Sequence, residues 1–176
     1  YRDGIGTTVQ PKQAEQSFQS AFRGFTALEK QSHDDKLQYR LGQMLHTGTG
    51  TEKDEKAAAE YWEKAAKLGN VHAQYALAKL WLETNNGDVS KALQWLTKAA
   101  DGGHAQAQYT LGKCYRDGIH VDKSIEQAVH LFLLSAEQNN AYAAYQLGKL
   151  YLAGEGIPKD AEQAVKWLKC AAEQRN

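Results

Sequence analysis

The chain has 176 residues with 21 basic and 21 acidic side chains, so its formal net charge is zero. That balance argues against direct nucleic-acid binding, which is usually marked by a basic excess. With 42% hydrophobic and 24% charged residues, the composition is that of a globular chain, and no apolar run is long enough to cross a membrane.

Only two prolines are present, Pro11 and Pro158, which leaves long helices unbroken. The chain opens on Tyr1-Arg2-Asp3-Gly4-Ile5, a copy of Tyr115-Arg116-Asp117-Gly118-Ile119 further along. It is therefore expected to begin inside a repeat, as a fragment of a longer protein. Residues 12–31 predict one long helix with Phe18, Phe22 and Phe25 as its apolar contacts. Residues 1–33 then form a partial first repeat.

Four further units follow, at 34–70, 71–104, 105–140 and 141–176. Each starts on a related segment: Gln38-Tyr39-Arg40-Leu41-Gly42, Gln74-Tyr75-Ala76-Leu77-Ala78, Gln108-Tyr109-Thr110-Leu111-Gly112 and Ala144-Tyr145-Gln146-Leu147-Gly148. The Tyr residues stand 36, 34 and 36 positions apart. A small-residue pair follows in each unit: Ala65-Ala66, Ala99-Ala100, Ser135-Ala136 and Ala171-Ala172. From Ala66, Ala100 and Ala136 to the next Tyr is nine residues every time, a register that unrelated segments would not hold.

Each unit predicts two helices. In the first, Leu77 with Trp81, Leu111 with Tyr115, and Leu147 with Tyr151 share a face at i and i+4. In the second, Ala92, Trp95, Leu96 and Ala99 recur at i, i+3, i+4 and i+7, and Ala164, Trp167, Leu168 and Ala171 repeat that stripe. Gly42, Gly112 and Gly148 sit inside first helices at a cost of up to about 1 kcal/mol each, which close packing must offset. Gly48-Thr49-Gly50, Gly118 and Gly154-Glu155-Gly156 predict the ends of first helices; Gly69-Asn70, Gly102-Gly103 and Asn139-Asn140 predict the ends of second ones. Asn85-Asn86-Gly87 marks a shorter turn in the second unit.

Taken together, these motifs resemble the Sel1-like repeat, a relative of the tetratricopeptide repeat. The fourth unit carries the pattern most fully, with Tyr145-Gln146-Leu147-Gly148-Lys149-Leu150-Tyr151, Gly154-Glu155-Gly156 and Ala164-Val165-Lys166-Trp167-Leu168-Lys169-Cys170-Ala171-Ala172. Departures are Ala78 in place of Gly, the missing Gly-x-Gly turn after Trp81, and Leu131-Phe132 at the Trp position. The resemblance implies an all-α fold, a right-handed superhelical solenoid of antiparallel helix hairpins with a concave inner face. It also implies scaffold or adaptor work on a partner protein or peptide. Secreted relatives staple each hairpin with a cysteine pair. This chain has only Cys114 and Cys170, 56 residues apart, and the expectation is two reduced thiols in a cytoplasmic protein.

Catalytic chemistry finds no support. There is no Cys-x-x-Cys, His-Glu-x-x-His, Gly-x-x-x-x-Gly-Lys or Ser-x-x-Lys segment. The last absence bears on β-lactam hydrolysis, with which some family members have been credited. The six histidines are scattered, and although His46 and His72 could approach across adjacent repeats, a metal site needs three or four converging ligands. No enzyme activity, cofactor or metal is expected.

The expected working surface is the inner face of the first helices. Two residues before each Leu stand Tyr39, Tyr75, Tyr109 and Tyr145; four residues after each Tyr stand Gln43, Lys79, Lys113 and Lys149, with Arg116 one further turn along. Tyr and Lys at i and i+4 share a helix face. One reading is a peptide groove, with Tyr supplying contact area and Lys supplying point charges for an acidic partner. The other is that the Tyr residues are packing residues and the Lys residues a solvated face. A second function reading is a non-catalytic appendage of a larger enzyme, because sequences of this kind also resemble arrays attached to bacterial DNA-mobilisation relaxases.

Overall fold

A computed structural model describes residues 11–84 and 88–174. Among them are nine helices and no strand: α1 (Pro11–Ser32), α2 (Asp35–Thr47), α3 (Glu55–Lys67), α4 (Val71–Glu83), α5 (Val89–Asp101), α6 (Ala105–Asp117), α7 (Ile125–Glu137), α8 (Ala141–Ala153) and α9 (Ala161–Glu173). The long first helix and the two-helix units are thus present. The repeated opening pentapeptide and the Asn85-Asn86-Gly87 turn lie outside the described residues. The helices pack as two compact units, one ending at Leu77 and one beginning at Ala78.

Helix ends follow from local chemistry. Asp34, Asp54, Asp88, Ser124, Asn140 and Asp160 each cap the next helix, a side-chain oxygen accepting from a backbone N–H two or three residues on. His104 does the same through Nδ1, which accepts from the Ala107 N–H at 3.2 Å. Gly48, Gly118 and Gly154 close first helices in the left-handed region. In the joints between units the duties divide. Gly69, Gly103 and Asn139 take the positive φ, while Asn70 and Asn140 accept from backbone N–H groups of the following helix.

In the first unit the core is Leu41, Met44, Leu45, Ala58, Trp62, Ala65 and Ala66. Gly42 allows it: a Cβ there would run into the Trp62 ring. Trp62 Nε1 donates to the Tyr39 carbonyl at 3.2 Å, so the indole is both buried and satisfied. On α1, Phe18, Phe22 and Phe25 are only half-buried, and the fully buried positions are Ala14 and Glu29. Glu29 Oε1 accepts from Gln38 Nε2 at 3.0 Å.

In the second unit the core runs through Ala128, Phe132, Ala136, Ala143, Ala144, Leu147, Leu150, Trp167 and Ala171. A Cβ on Gly112 would stand 2.8 Å from the Phe132 ring, and one on Gly148 2.6 Å from Leu168. Ser135 is fully buried and donates to the Ala105 carbonyl at 2.7 Å. The N-caps of second helices also tie back to the first: Ser124 N–H donates to the Tyr115 carbonyl at 2.9 Å and Asp160 N–H to Tyr151 at 3.0 Å.

Candidate functional site

Each Tyr of the first helices is carried by a buried Leu two residues on: Leu41, Leu77, Leu111 and Leu147. With the Leu facing the core, the Tyr is turned to the rim of the helix and the residue four later to its surface.

In the first unit, Tyr39 is half-buried, its ring 5.7 Å from that of His72. Gln43 Nε2 donates to the Tyr39 hydroxyl at 2.8 Å. Burial raises the Tyr39 pKa, partly offset by that hydrogen bond, so the phenol stays neutral. Tyr75 is also half-buried. This stretch of the face is neutral and largely committed to its own neighbours.

The second unit is different. Lys79 is exposed but its ammonium lies 3.8 Å from Glu83. Lys113 sits over the Tyr109 ring at 5.7 Å, and Lys149 over the Tyr145 ring at 5.8 Å. Such contacts are worth roughly 0.5–1 kcal/mol at exposed sites. No carboxylate lies within ion-pair distance of Lys113 or Lys149 among the described residues. Tyr109 packs on both Phe132 and Tyr142, each with ring centroids 6.0 Å away. Tyr145 is 47% exposed and Tyr142 58%.

Arg116 is not available as an open cation. Its Nε and Nη2 donate to the two carboxylate oxygens of Asp117 at 2.7 Å, and Nη1 donates to Gln146 Oε1 at 2.6 Å. This fork holds the Asp117 carboxyl below its usual range and joins α6 to α8.

The nine expected residues thus divide. Tyr39, Tyr75 and Tyr109 are half-buried packing residues as well as rim residues, and Gln43, Lys79 and Arg116 are engaged with neighbours. Lys113, Tyr145 and Lys149 present open chemistry. Two further aromatic residues belong to this face: His72, weighed in the sequence only as a metal ligand with His46, and Tyr142, which the sequence reading passed over. The signal was present, since both stand three residues before a ladder Tyr and so share its face.

Among the described residues no three His, Cys, Asp or Glu side chains could hold a metal ion. His46 stacks on Trp62 at 5.3 Å and His72 on Tyr39. Cys114 and Cys170 are unpaired, and burial pushes the Cys114 thiol up, away from the reactive thiolate. No described helix is long and apolar enough to cross a membrane.

The Sel1 repeat family matches residues 36–70, 71–104, 105–140 and 141–176. A Sel1 repeat protein from Oxalobacter formigenes is 30% identical with a TM-score of 0.84, covering 100% of this chain and 69% of its own. A protective antigen of uropathogenic Escherichia coli, c5321, with the same repeat fold is 31% identical with a TM-score of 0.82. The match to c5321 covers 88% of this chain and 33% of that one. The Helicobacter pylori cysteine-rich protein B is 27% identical over 70% of this chain and 90% of its own, with a TM-score of 0.57. No match is found among curated proteins. Proteins with these repeats are generally protein-interaction scaffolds and typically non-catalytic. With four matched repeats spanning most of its length, this chain belongs to the Sel1 repeat family.

Proposed function

We infer that the chain is a protein-interaction module that holds a partner protein or peptide on the Tyr–Lys face of its first helices. The observation that carries this reading is the repeated pairing on α6 and α8, with Lys113 over the half-buried Tyr109 ring at 5.7 Å and Lys149 over the exposed Tyr145 ring at 5.8 Å. Open cations beside aromatic rings suit an acidic partner, with the rings giving contact area and the ammonium groups fixing orientation. The unpaired cysteines fit a reducing, cytoplasmic setting.

The test is affinity capture with the wild-type chain and with the Lys79→Glu, Lys113→Glu, Lys149→Glu variant, after circular dichroism has shown equal helicity. Partners retained by the wild type alone support the reading. Identical capture by both proteins overturns it.

A further inference from the structure

The glutamine just before the ladder Tyr is buried in three repeats, at Gln38, Gln74 and Gln108. Gln74 and Gln108 each donate through Nε2 to a main-chain carbonyl of the preceding second helix, those of Ala66 and Ala100, at 3.1 Å. Gln108 Oε1 accepts in turn from Gln138 Nε2 at 2.8 Å, two residues beyond Ala136. Gln38 departs from this arrangement on both sides. Its Nε2 donates to the Glu29 carboxylate at 3.0 Å. The place of Gln138, two residues beyond Ala66, is taken by Leu68, whose side chain is 59% exposed and has no donor. Gln38 Oε1 is left without a hydrogen-bond partner among the described residues. Gln74 Oε1 is unpartnered too, but there the Nε2 is held by a main-chain carbonyl and no carboxylate shares the site.

Glu29 is the second group in need of a partner. It is buried, and among the described residues its ion-pair contact is with His33, whose Nδ1 lies 3.6 Å away and whose side chain is 72% exposed. A buried carboxylate and an unpaired buried acceptor both favour a cationic N–H donor. Glu29 and Gln38 line an open cavity of about 480 Å3 at the end of α1, the start of α2 and the end of α3, with Lys30, His33, Lys64 and Leu68 completing its wall. The amide torsion of glutamine is soft, so Gln38 can turn Oε1 toward a donor placed there. The wall thus sets acceptors, Glu29 and Gln38, against exposed cations, Lys30 and Lys64. A simple cation would be opposed by the lysines and a simple anion by Glu29, so the charge layout selects a small molecule that carries both charges.

We propose that this cavity of the first unit binds a free α-amino acid, its ammonium donating to Glu29 and Gln38 and its carboxylate held by Lys30 and Lys64. An apolar side chain would lie against Leu68. The site goes beyond the partner reading above, since none of these residues belongs to the Tyr–Lys face.

The experiment is calorimetric titration of the full chain with each standard L-amino acid, and with two analogues of L-leucine. N-acetyl-L-leucine lacks the ammonium and isopentylamine lacks the carboxylate. L-leucine is expected to bind about tenfold or more tighter than either analogue, the loss that follows removal of one charged hydrogen bond. Glu29→Gln should lower leucine to the level of the acetylated analogue. Lys30→Ala, Lys64→Ala, a change at two exposed positions, should lower it to the level of the amine. Both variants are checked for helicity by circular dichroism. Binding of a different amino acid, weakened by both variants, supports the site and changes only the side chain it prefers. Equal binding of leucine and its analogues, binding that neither variant weakens, or no binding by any amino acid overturns the proposal.

Discussion

His120 occupies a left-handed backbone position, φ 66°, that glycine holds in the corresponding turns at Gly50 and Gly156 with φ 70° and 74°. A residue with a Cβ pays for that conformation, although glycine brings a larger entropy loss on folding. His120 is exposed, and among the described residues its side chain makes no hydrogen bond that would be missed. His120→Gly should therefore raise stability by roughly 0.5–1 kcal/mol, read as a higher urea midpoint at unchanged slope. Asp117 offers a pH-dependent counterpart. Its folded pKa lies below the unfolded value of about 3.9, so its contribution is intact above that value and fades as pH falls through the folded one. The pair is partly exposed, with Asp117 at 34%, so the effect is small. Asp117→Asn should be less stable than the wild type by under about 1 kcal/mol at pH 7 and indistinguishable from it near pH 2, as measured by urea unfolding at the two pH values.

The helices show which sequence signals carried structural information and which misled. Periodic Leu, Ala and Tyr placed the helix pairs because burial follows the 3.6-residue period. The bulky residue of the second helix was harder to place. Trp62 and Phe132 stand four residues before Ala66 and Ala136, and both are buried against a glycine. Trp95 and Trp167 stand five before Ala100 and Ala172, and Trp95 is half-buried beneath Lys98, 4.6 Å away. Aligning on tryptophan alone merges two adjacent positions; only the facing glycine separates them. Likewise, the face period located the Tyr–Lys residues, but their partners could not be read, because Glu83 and Asp117 engage Lys79 and Arg116 through rotamers that the period does not encode. Within α7 the contrast between positions should be large. Phe132→Ala, at a fully buried site, should cost about 3–5 kcal/mol, whereas Leu134→Ala, 36% exposed, should stay within about 0.5 kcal/mol. Thermal and urea unfolding of the two variants would check this.

On the scale of the molecule, zero net charge conceals local asymmetry. Lys113 and Lys149 lie on first helices of the second unit, each over a tyrosine ring, while some acids elsewhere are engaged at helix caps and in ion pairs such as Lys53–Glu55 at 2.7 Å. Attraction of an acidic partner should then depend on this patch rather than on a global field. Screening shortens from about 10 Å at 0.1 M salt to about 3 Å at 1 M, so partner binding should weaken steadily with salt. In the lysine-reversed variant that salt dependence should vanish or change sign, as measured by calorimetry at several ionic strengths.

The glycine positions bear on how such arrays can be recombined. Gly42 accommodates Trp62, Gly112 accommodates Phe132 and Gly148 accommodates Leu168, while the second repeat carries Ala78 at the corresponding place. A first helix bearing alanine could not be spliced onto α3 without driving a methyl group into the indole. The unit that can be exchanged between repeats is therefore the whole hairpin, and crossovers that fall within a hairpin should be filtered out in any library of shuffled repeats.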